Sequence, residues 1–234
     1  MMPQFTSAYS GLVRRYDEID AIQRMARRLS GLAPTRTTLA QIDALCRGGV
    51  VLLSSHIEGY FEDLTGEALD RIHKRRLPKA VLGKPFKYYM SQDLIRAVRN
   101  AGSPATMVTK LEEMLHRDEH VWGNSPVFDG PLGLSPFADD FSNPNHKRIK
   151  KLMGRFGYRS FESDLSRALA ADFVPCRNMV DQVVDQRNKI AHGDSVTTGT
   201  PGDLNDMARL VRQYCRASDR AVGDWFRNQG CPIR

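Results

Sequence analysis

The sequence predicts an all-α protein. Over several long stretches apolar residues recur every three or four positions, which is the spacing of one face of an α-helix. Proline and glycine separate these stretches, and no stretch shows the strict alternation of apolar and polar residues that a half-buried strand requires. Because hydrophobic residues make up 41% of the chain, we expect a sizeable buried core rather than disorder.

Four long helices are predicted to form a bundle core. The first ends before Pro34, and the second is long and capped by Thr37 or Thr38. The third begins at Pro175, and the fourth begins after Thr200, which has the pattern of a helix cap. Their approximate ranges are 8–32, 37–76, 175–192 and 203–228.

The middle of the chain, about 79–173, is predicted to be an insertion within one helical domain that spans 1–234. Residues 79–90 are expected to be irregular around Pro85, and short helices follow, one of them over 103–122. Repeated prolines and glycines then predict a long irregular loop over 123–144. Loops of that length in a compact domain are usually functional or bind a partner.

Composition excludes several classes of protein. The four cysteines are scattered without a Cys-x-x-Cys pair, which argues against a zinc ribbon and a disulfide framework. His116 and His120 lie one turn apart but lack a third ligand, so a solvated helix is favoured and no metal or cofactor is expected. No apolar run of roughly 18 residues and no signal peptide is evident, so we expect a cytoplasmic protein that does not bind membranes. The net charge of +7 is compatible with binding RNA or DNA.

Two motifs indicate the function. The first is Arg187-Asn188-Lys189-Ile190-Ala191-His192-Gly193, at the end of the third core helix, where a glycine can terminate it. An arginine five residues before a histidine is common by chance, so the specificity of the motif comes from the intervening residues. The second motif, over 51–60, places Glu58 in an apolar helix, where it is as readily a satisfied core carboxylate as a catalytic one.

Together these motifs resemble the HEPN superfamily of helical nucleases, in particular the MAE branch or its relative, the RiboL-PSP-HEPN branch. The resemblance implies an all-α, HEPN-like four-helix bundle core with additional helices and a long irregular loop. It also implies metal-independent cleavage of RNA by 2′-hydroxyl attack, which leaves a 2′,3′-cyclic phosphate. Further implications are a homodimer with the active site at the interface, and a toxin or effector role in bacterial anti-phage defence or a toxin–antitoxin system. A regulatory or antitoxin partner is then expected.

The first motif has the residue types that this chemistry needs. His192 can take or give a proton near neutral pH, and Arg187 can brace the phosphate oxygens with a planar, charged fork. Asn188 lies one turn before His192 and can orient the imidazole or the phosphate. Arg187 and His192 are separated by roughly 140° around an ideal helix. Either the helix therefore loosens at its end, or the two side chains act across a dimer.

Other residues are candidates for supporting roles. Glu58, Ser54 and Ser55 could support the catalytic residues from the neighbouring helix. The densest basic cluster is predicted to contact the RNA backbone, although ordinary surface charge explains it equally well. Its residues are Lys147, Arg148, Lys150 and Lys151.

Two further hypotheses stay open. Arg187 and His192 could merely favour the dipole at the end of a helix. The chain could then be a catalytically inactive HEPN-like adaptor or nucleic-acid-binding module. The sequence His192-Gly193-Asp194 also departs from the His-x-Tyr of HEPN toxins that are paired with a nucleotidyltransferase, so regulation of that kind is not inferred.

Overall fold

Helices make up most of the computed structural model, which describes residues 4–193 and 199–234. An isolated antiparallel bridge joins Pro78 to Val127, and the two described ranges contain no other strand pairing. The prediction of an all-α protein is confirmed. No helix in these ranges is long and apolar enough to cross a membrane.

Short connections join the described elements, except for the longer irregular segments before and after α7. In chain order they are α1 (Ser7–Ser30), α2 (Arg36–Lys74), α3 (Lys79–Met90), α4 (Gln92–Arg99), α5 (Pro104–Arg117), α6 (Glu119–Trp122), α7 (Leu134–Ala138), α8 (His146–Arg155), α9 (Phe161–Leu169), a 3-10 turn (Ala170–Asp172), α10 (Phe173–Ala191) and α11 (Pro201–Asn228).

The bundle core consists of α1, α2, α10 and α11. The helix α2 packs against the other three, and α11 lies between α1 and α10. Each of the four helices contributes fully buried apolar or aromatic side chains. Burial of apolar surface therefore stabilises the bundle along its whole length. Examples are Leu12, Leu53, Tyr60, Val183 and Tyr214.

Two predictions were wrong, one for the cap of α2 and one for the structure of residues 79–90. The cap of α2 is Thr35 rather than Thr37 or Thr38, because Thr35 and Thr38 each bond the backbone N–H of the other in a capping box. Residues 79–90 are helical rather than irregular. Gly83, at φ 72°, breaks this segment, and Pro85 then lies in a first turn, where a missing N–H is tolerated.

The remaining insertion also differs in detail from the prediction. The expected helix over 103–122 is divided into α5 and α6 at Asp118. The predicted loop 123–144 contains the short helix α7 and is anchored by the buried side chains of Phe128 and Phe137. Arg155 is itself buried and holds this loop by donating to the Phe137 carbonyl and the Asp140 carboxylate. The loop is therefore part of the packed structure.

Candidate active site

The helix α10 carries the first motif at its carboxyl end. Its buried stripe consists of Cys176, Val180, Val183 and Val184, and Arg187 follows in a half-buried position. The Nη1 atom of Arg187 donates to Oδ1 of Asn188 at 3.1 Å and to Oδ1 of Asn143 at 3.4 Å. Both acceptors are neutral amides, so these bonds orient the guanidinium without cancelling its charge.

Asn143 lies at the end of the loop that precedes α8. Its φ of 51° falls in the left-handed region, which asparagine tolerates better than most residues. It is followed by Pro144 and Asn145, and the Asn145 side chain caps α8 by accepting from the N–H of Arg148. Sequence reasoning missed Asn143, although an Asn-Pro pair is a signal for a turn. Through it, Arg187 connects α10 to the start of α8.

His192 is the residue that ends α10, and its side chain is exposed. Its backbone N–H still donates to the carbonyls of Asn188 at 3.0 Å and Lys189 at 3.2 Å. Gly193 then turns the chain with φ 81°, as predicted for a terminating glycine. Because the helix stays regular through Ala191, the angular separation of roughly 140° between residues 187 and 192 remains.

Arg187, Asn188 and His192 therefore do not all lie on one face of α10. Asn188 lies one turn before His192 on the same face of α10, while its side-chain oxygen is engaged by Arg187. Among the hydrogen bonds of the described residues, none joins His192 to Arg187. One chain thus presents a guanidinium and an imidazole on different faces of one helix end.

The predicted supporting residues lie on α2, which packs against α10. Ser54 is buried, Glu58 is half-buried and Ser55 is exposed. Within the part of the chain that is described, none of the three forms a hydrogen bond with Arg187, Asn188 or His192. Tyr60 and Phe61 on the same helix are fully buried in the core.

The basic cluster lies on the exposed side of α8. Lys150 pairs with Glu162, and Lys151 pairs with Asp140 at 2.9 Å. A pocket of about 740 Å³ runs beside the cluster. It is lined by Asp140, Phe141, Ser142, Asn145, Lys147, Arg148, Lys151 and Arg155. Because Ser142 and Asn145 flank Asn143, this pocket adjoins the residue that holds Arg187.

The chain matches the RiboL-PSP-HEPN family over residues 12–224, a range that includes both motifs. The protein belongs to the RiboL-PSP-HEPN family. The resemblance inferred from Arg187–Gly193 and from the Glu58 segment is thereby confirmed, and the chain has a place in a superfamily with nuclease and RNA-related functions. No curated protein and no solved structure matches the chain.

In this RiboL-PSP-HEPN protein, α8 is fastened to the bundle by His146, which sequence reasoning also missed. The backbone N–H of His146 donates to the Asp181 carboxylate on α10 at 2.7 Å. Its ring nitrogen Nδ1 lies 2.8 Å from the Tyr214 hydroxyl on α11, and Nε2 lies 3.4 Å from Glu162 on α9. These contacts position the basic cluster relative to Arg187.

Burial makes His146 a source of pH-dependent stability. Burial lowers the pKa of His146 below its ordinary value of 6.5, and the Glu162 carboxylate opposes this shift only in part. As pH falls, the unfolded chain therefore takes up the proton first, and the free energy of unfolding, complete above about pH 6.5, decreases below it. We expect the melting temperature to fall between about pH 7.5 and about pH 5.5, and to fall less in His146→Asn.

The exposed His116 provides the matched control for this measurement. His116→Asn should show the same decrease as the unchanged protein, because the exposed His116 side chain forms no hydrogen bond or ion pair with the other described residues. Equal pH dependence in His146→Asn and His116→Asn would contradict the assignment.

Another pocket, of about 370 Å³, lies on a different flank of α10. Gln182, Gln186 and Ile190 contribute to it from α10, and Cys46 and Leu204 contribute from α2 and α11. None of Arg187, Asn188 and His192 lines this pocket. This cavity is therefore separate from the groups suited to RNA chemistry.

Proposed function

We propose that this RiboL-PSP-HEPN protein is a metal-independent endoribonuclease. The observation that carries the proposal is the placement of Arg187 beside the basic pocket of α8, with His192 exposed at the end of the same helix. Family membership supports an RNA substrate. Lys147, Arg148, Lys150 and Lys151 would hold the phosphates of the strand through long-range attraction.

The proposed reaction requires no metal ion and involves two proton transfers. The 2′-oxygen of a ribose attacks the adjacent phosphorus, and its proton passes to a base. The bond from phosphorus to the 5′-oxygen breaks, and that oxygen receives a proton, which leaves a 2′,3′-cyclic phosphate and a 5′-hydroxyl. His192 is suited to one of the two proton transfers. Arg187 is suited to stabilising the charge on the phosphorane oxygens, and Asn188 orients Arg187.

We further propose that the active site is completed at the interface of a homodimer. The two essential side chains face different directions at the end of α10, and the helix does not loosen before His192. A second copy can bring its His192 to the Arg187 of the first chain, and the reverse, in a two-fold symmetric arrangement. Each site would then contain groups from both subunits.

The test is incubation of the purified protein with RNA in the presence of excess EDTA. We expect cleavage to persist and the products to end in 2′,3′-cyclic phosphate, because neither nucleophile nor acid depends on a metal. Product ends are identified by their resistance to direct ligation and by mass spectrometry.

Intact RNA, or activity that EDTA removes, would reject the proposal. Binding of RNA without cleavage would instead support the alternative function, a catalytically inactive HEPN-like adaptor or nucleic-acid-binding module. The separation of Arg187 from His192 within one chain is the observation that favours this alternative.

The wider role is proposed from membership of the superfamily. A ribonuclease of this kind acts on cytoplasmic RNA, as a toxin or effector in bacterial anti-phage defence or in a toxin–antitoxin system, and a regulatory or antitoxin protein restrains it. We also propose that 1–234 is one HEPN-like domain in which 79–173 is an insertion. The family match extends through that insertion, and the contacts of His146 join it to the bundle.

A further inference from the structure

A groove of about 500 Å³, separate from the pockets beside α8 and α10, runs between α1 and α11. It lies on the flank of α11 that faces α1, whereas α10 packs elsewhere on α11. Its floor includes Phe5, Tyr9 and Tyr16, and its rim includes Arg209, Arg212 and Arg216. Neither sequence motif reaches this groove.

The rim continues as a row of four arginines along one side of α11, which we call the arginine row: Arg209, Arg212, Arg216 and Arg220. Their spacing of three, four and four residues keeps them on one face of the helix. Residues four apart on a helix are about 6 Å apart along its axis. This distance is comparable with the separation of successive phosphates along an extended nucleic-acid strand.

Nearby carboxylates neutralise little of the positive charge of the arginine row. Arg209 lies 3.5 Å from Asp206, which is an exposed pair of small effect. Within 4–193 and 199–234, Arg212, Arg216 and Arg220 form no ion pair with a carboxylate. Asp20 also lines the groove, on the α1 side. Three neighbouring arginines without carboxylate partners give this side of the groove a net positive charge.

Aromatic rings fix the positions of these cations. The guanidinium of Arg212 lies 5.4 Å from the centre of the Tyr16 ring. Those of Arg216 and Arg220 lie 5.5 Å and 5.2 Å from the centre of the Phe5 ring. Contact with a ring face leaves the N–H edges of Arg216 and Arg220 free to donate, so it orders these side chains and preserves their forks for an anion. Arg212 also interacts with the Tyr9 hydroxyl.

We propose that the arginine row binds the phosphate backbone of single-stranded RNA without preference for base sequence. Regular spacing, uncompensated charge and ordered forks are the features of a backbone-binding track. The rings are covered by arginine, so they do not serve as stacking platforms for bases. The groove would hold the strand away from the scissile phosphate. The inference rests on the proposed function only in that RNA is the ligand.

Binding is tested with a fluorescein-labelled 20-nucleotide oligouridylate, by anisotropy, in a His192→Ala background that prevents cleavage. We expect the triple variant Arg212→Gln, Arg216→Gln, Arg220→Gln to weaken binding about tenfold or more at physiological salt. The slope of log affinity against log salt should fall by about 2, since each phosphate contact to a single strand contributes roughly 0.7.

A matched control removes the same charge from three distant elements, with Arg36→Gln, Arg99→Gln and Arg159→Gln, all at exposed positions. This control should bind within about twofold of its parent, because long-range charge is screened beyond about 8 Å at physiological salt. Equal weakening of RNA binding in the two triple variants would overturn the proposal, and so would unchanged binding in the variant that lacks Arg212, Arg216 and Arg220. Displacement of the oligonucleotide by polyglutamate as readily as by unlabelled RNA would also overturn it, in favour of an acidic protein partner.

Photo-crosslinking keeps the inference testable if the triple variant does not fold. A 4-thiouridine oligonucleotide should attach to peptides that contain Phe5 to Tyr16, and adducts confined to α8 and α10 would refute the groove. The two proposals fail separately. Binding at the arginine row without any cleavage by the unchanged protein removes the nuclease assignment alone, whereas cleavage with no contribution from the row removes this one alone.

Discussion

His192→Ala is expected to reduce the rate of RNA cleavage by about 10²- to 10⁴-fold, which is the usual contribution of a general acid or base. The side chain is exposed at the end of α10, so its loss should leave the fold and the affinity for RNA nearly unchanged. The measurement is single-turnover cleavage of a labelled RNA, with affinity determined separately by anisotropy.

The control for this prediction is His116→Ala, which removes another exposed histidine from the same chain, on α5. It should cleave at the rate of the unchanged protein. If His192→Ala retains full activity, His192 has no role in proton transfer and the proposed mechanism is wrong.

His192→Ala also tests whether the active site lies at the proposed dimer interface. Arg187→Ala should also be inactive, because the role proposed for its guanidinium is to stabilise the transition state. Co-expression of Arg187→Ala with His192→Ala should restore activity to roughly a quarter of the original, since half of the dimers are mixed and one of their two sites keeps both groups. No recovery in mixed dimers would show that Arg187 and His192 act within one chain.

Asp219→Ala is expected to destabilise the protein by about 3 kcal/mol, because it leaves buried donors without their acceptor. Asp219 is fully buried on α11. It accepts hydrogen bonds from the backbone N–H of Thr6 at 3.1 Å, from the Thr6 hydroxyl, and from the Tyr60 hydroxyl at 3.3 Å. Burial raises the pKa of Asp219, and the hydrogen bonds from Thr6 oppose that shift. One carboxyl group therefore connects the start of α1, the middle of α2 and α11.

Thermal and urea unfolding measure this effect. For a chain of this size about 3 kcal/mol corresponds to a decrease in melting temperature of roughly 6–12 °C. Asp206→Ala is the matched control, since Asp206 lies on the same helix, is exposed, and pairs with Arg209 at 3.5 Å. Its effect should stay within about 0.5 kcal/mol. Similar stabilities for the two variants would show that the Thr6–Asp219–Tyr60 contacts contribute little.

Much of the bundle could be predicted from sequence because its signals are local. Apolar residues at helical spacing identify α1, α2, α10 and α11, and each repeats over enough turns to outweigh single exceptions. Gly193 ends α10 where the motif predicted, because its conformational freedom is a property of that one residue. The helices of the insertion were harder to predict from sequence, because they are short and one breaks at Gly83.

By itself, the sequence determined an all-α chain of the RiboL-PSP-HEPN family and the identity of its chemically suited residues, Arg187, Asn188 and His192. Only the tertiary structure decided what surrounds them. Asn143 reaches Arg187 from 44 positions earlier, and Phe5 meets Arg216 from the opposite end of the chain. Periodicity reports which face of a helix is apolar but not which other element that face meets, because long-range contacts arise only when all the helices pack together.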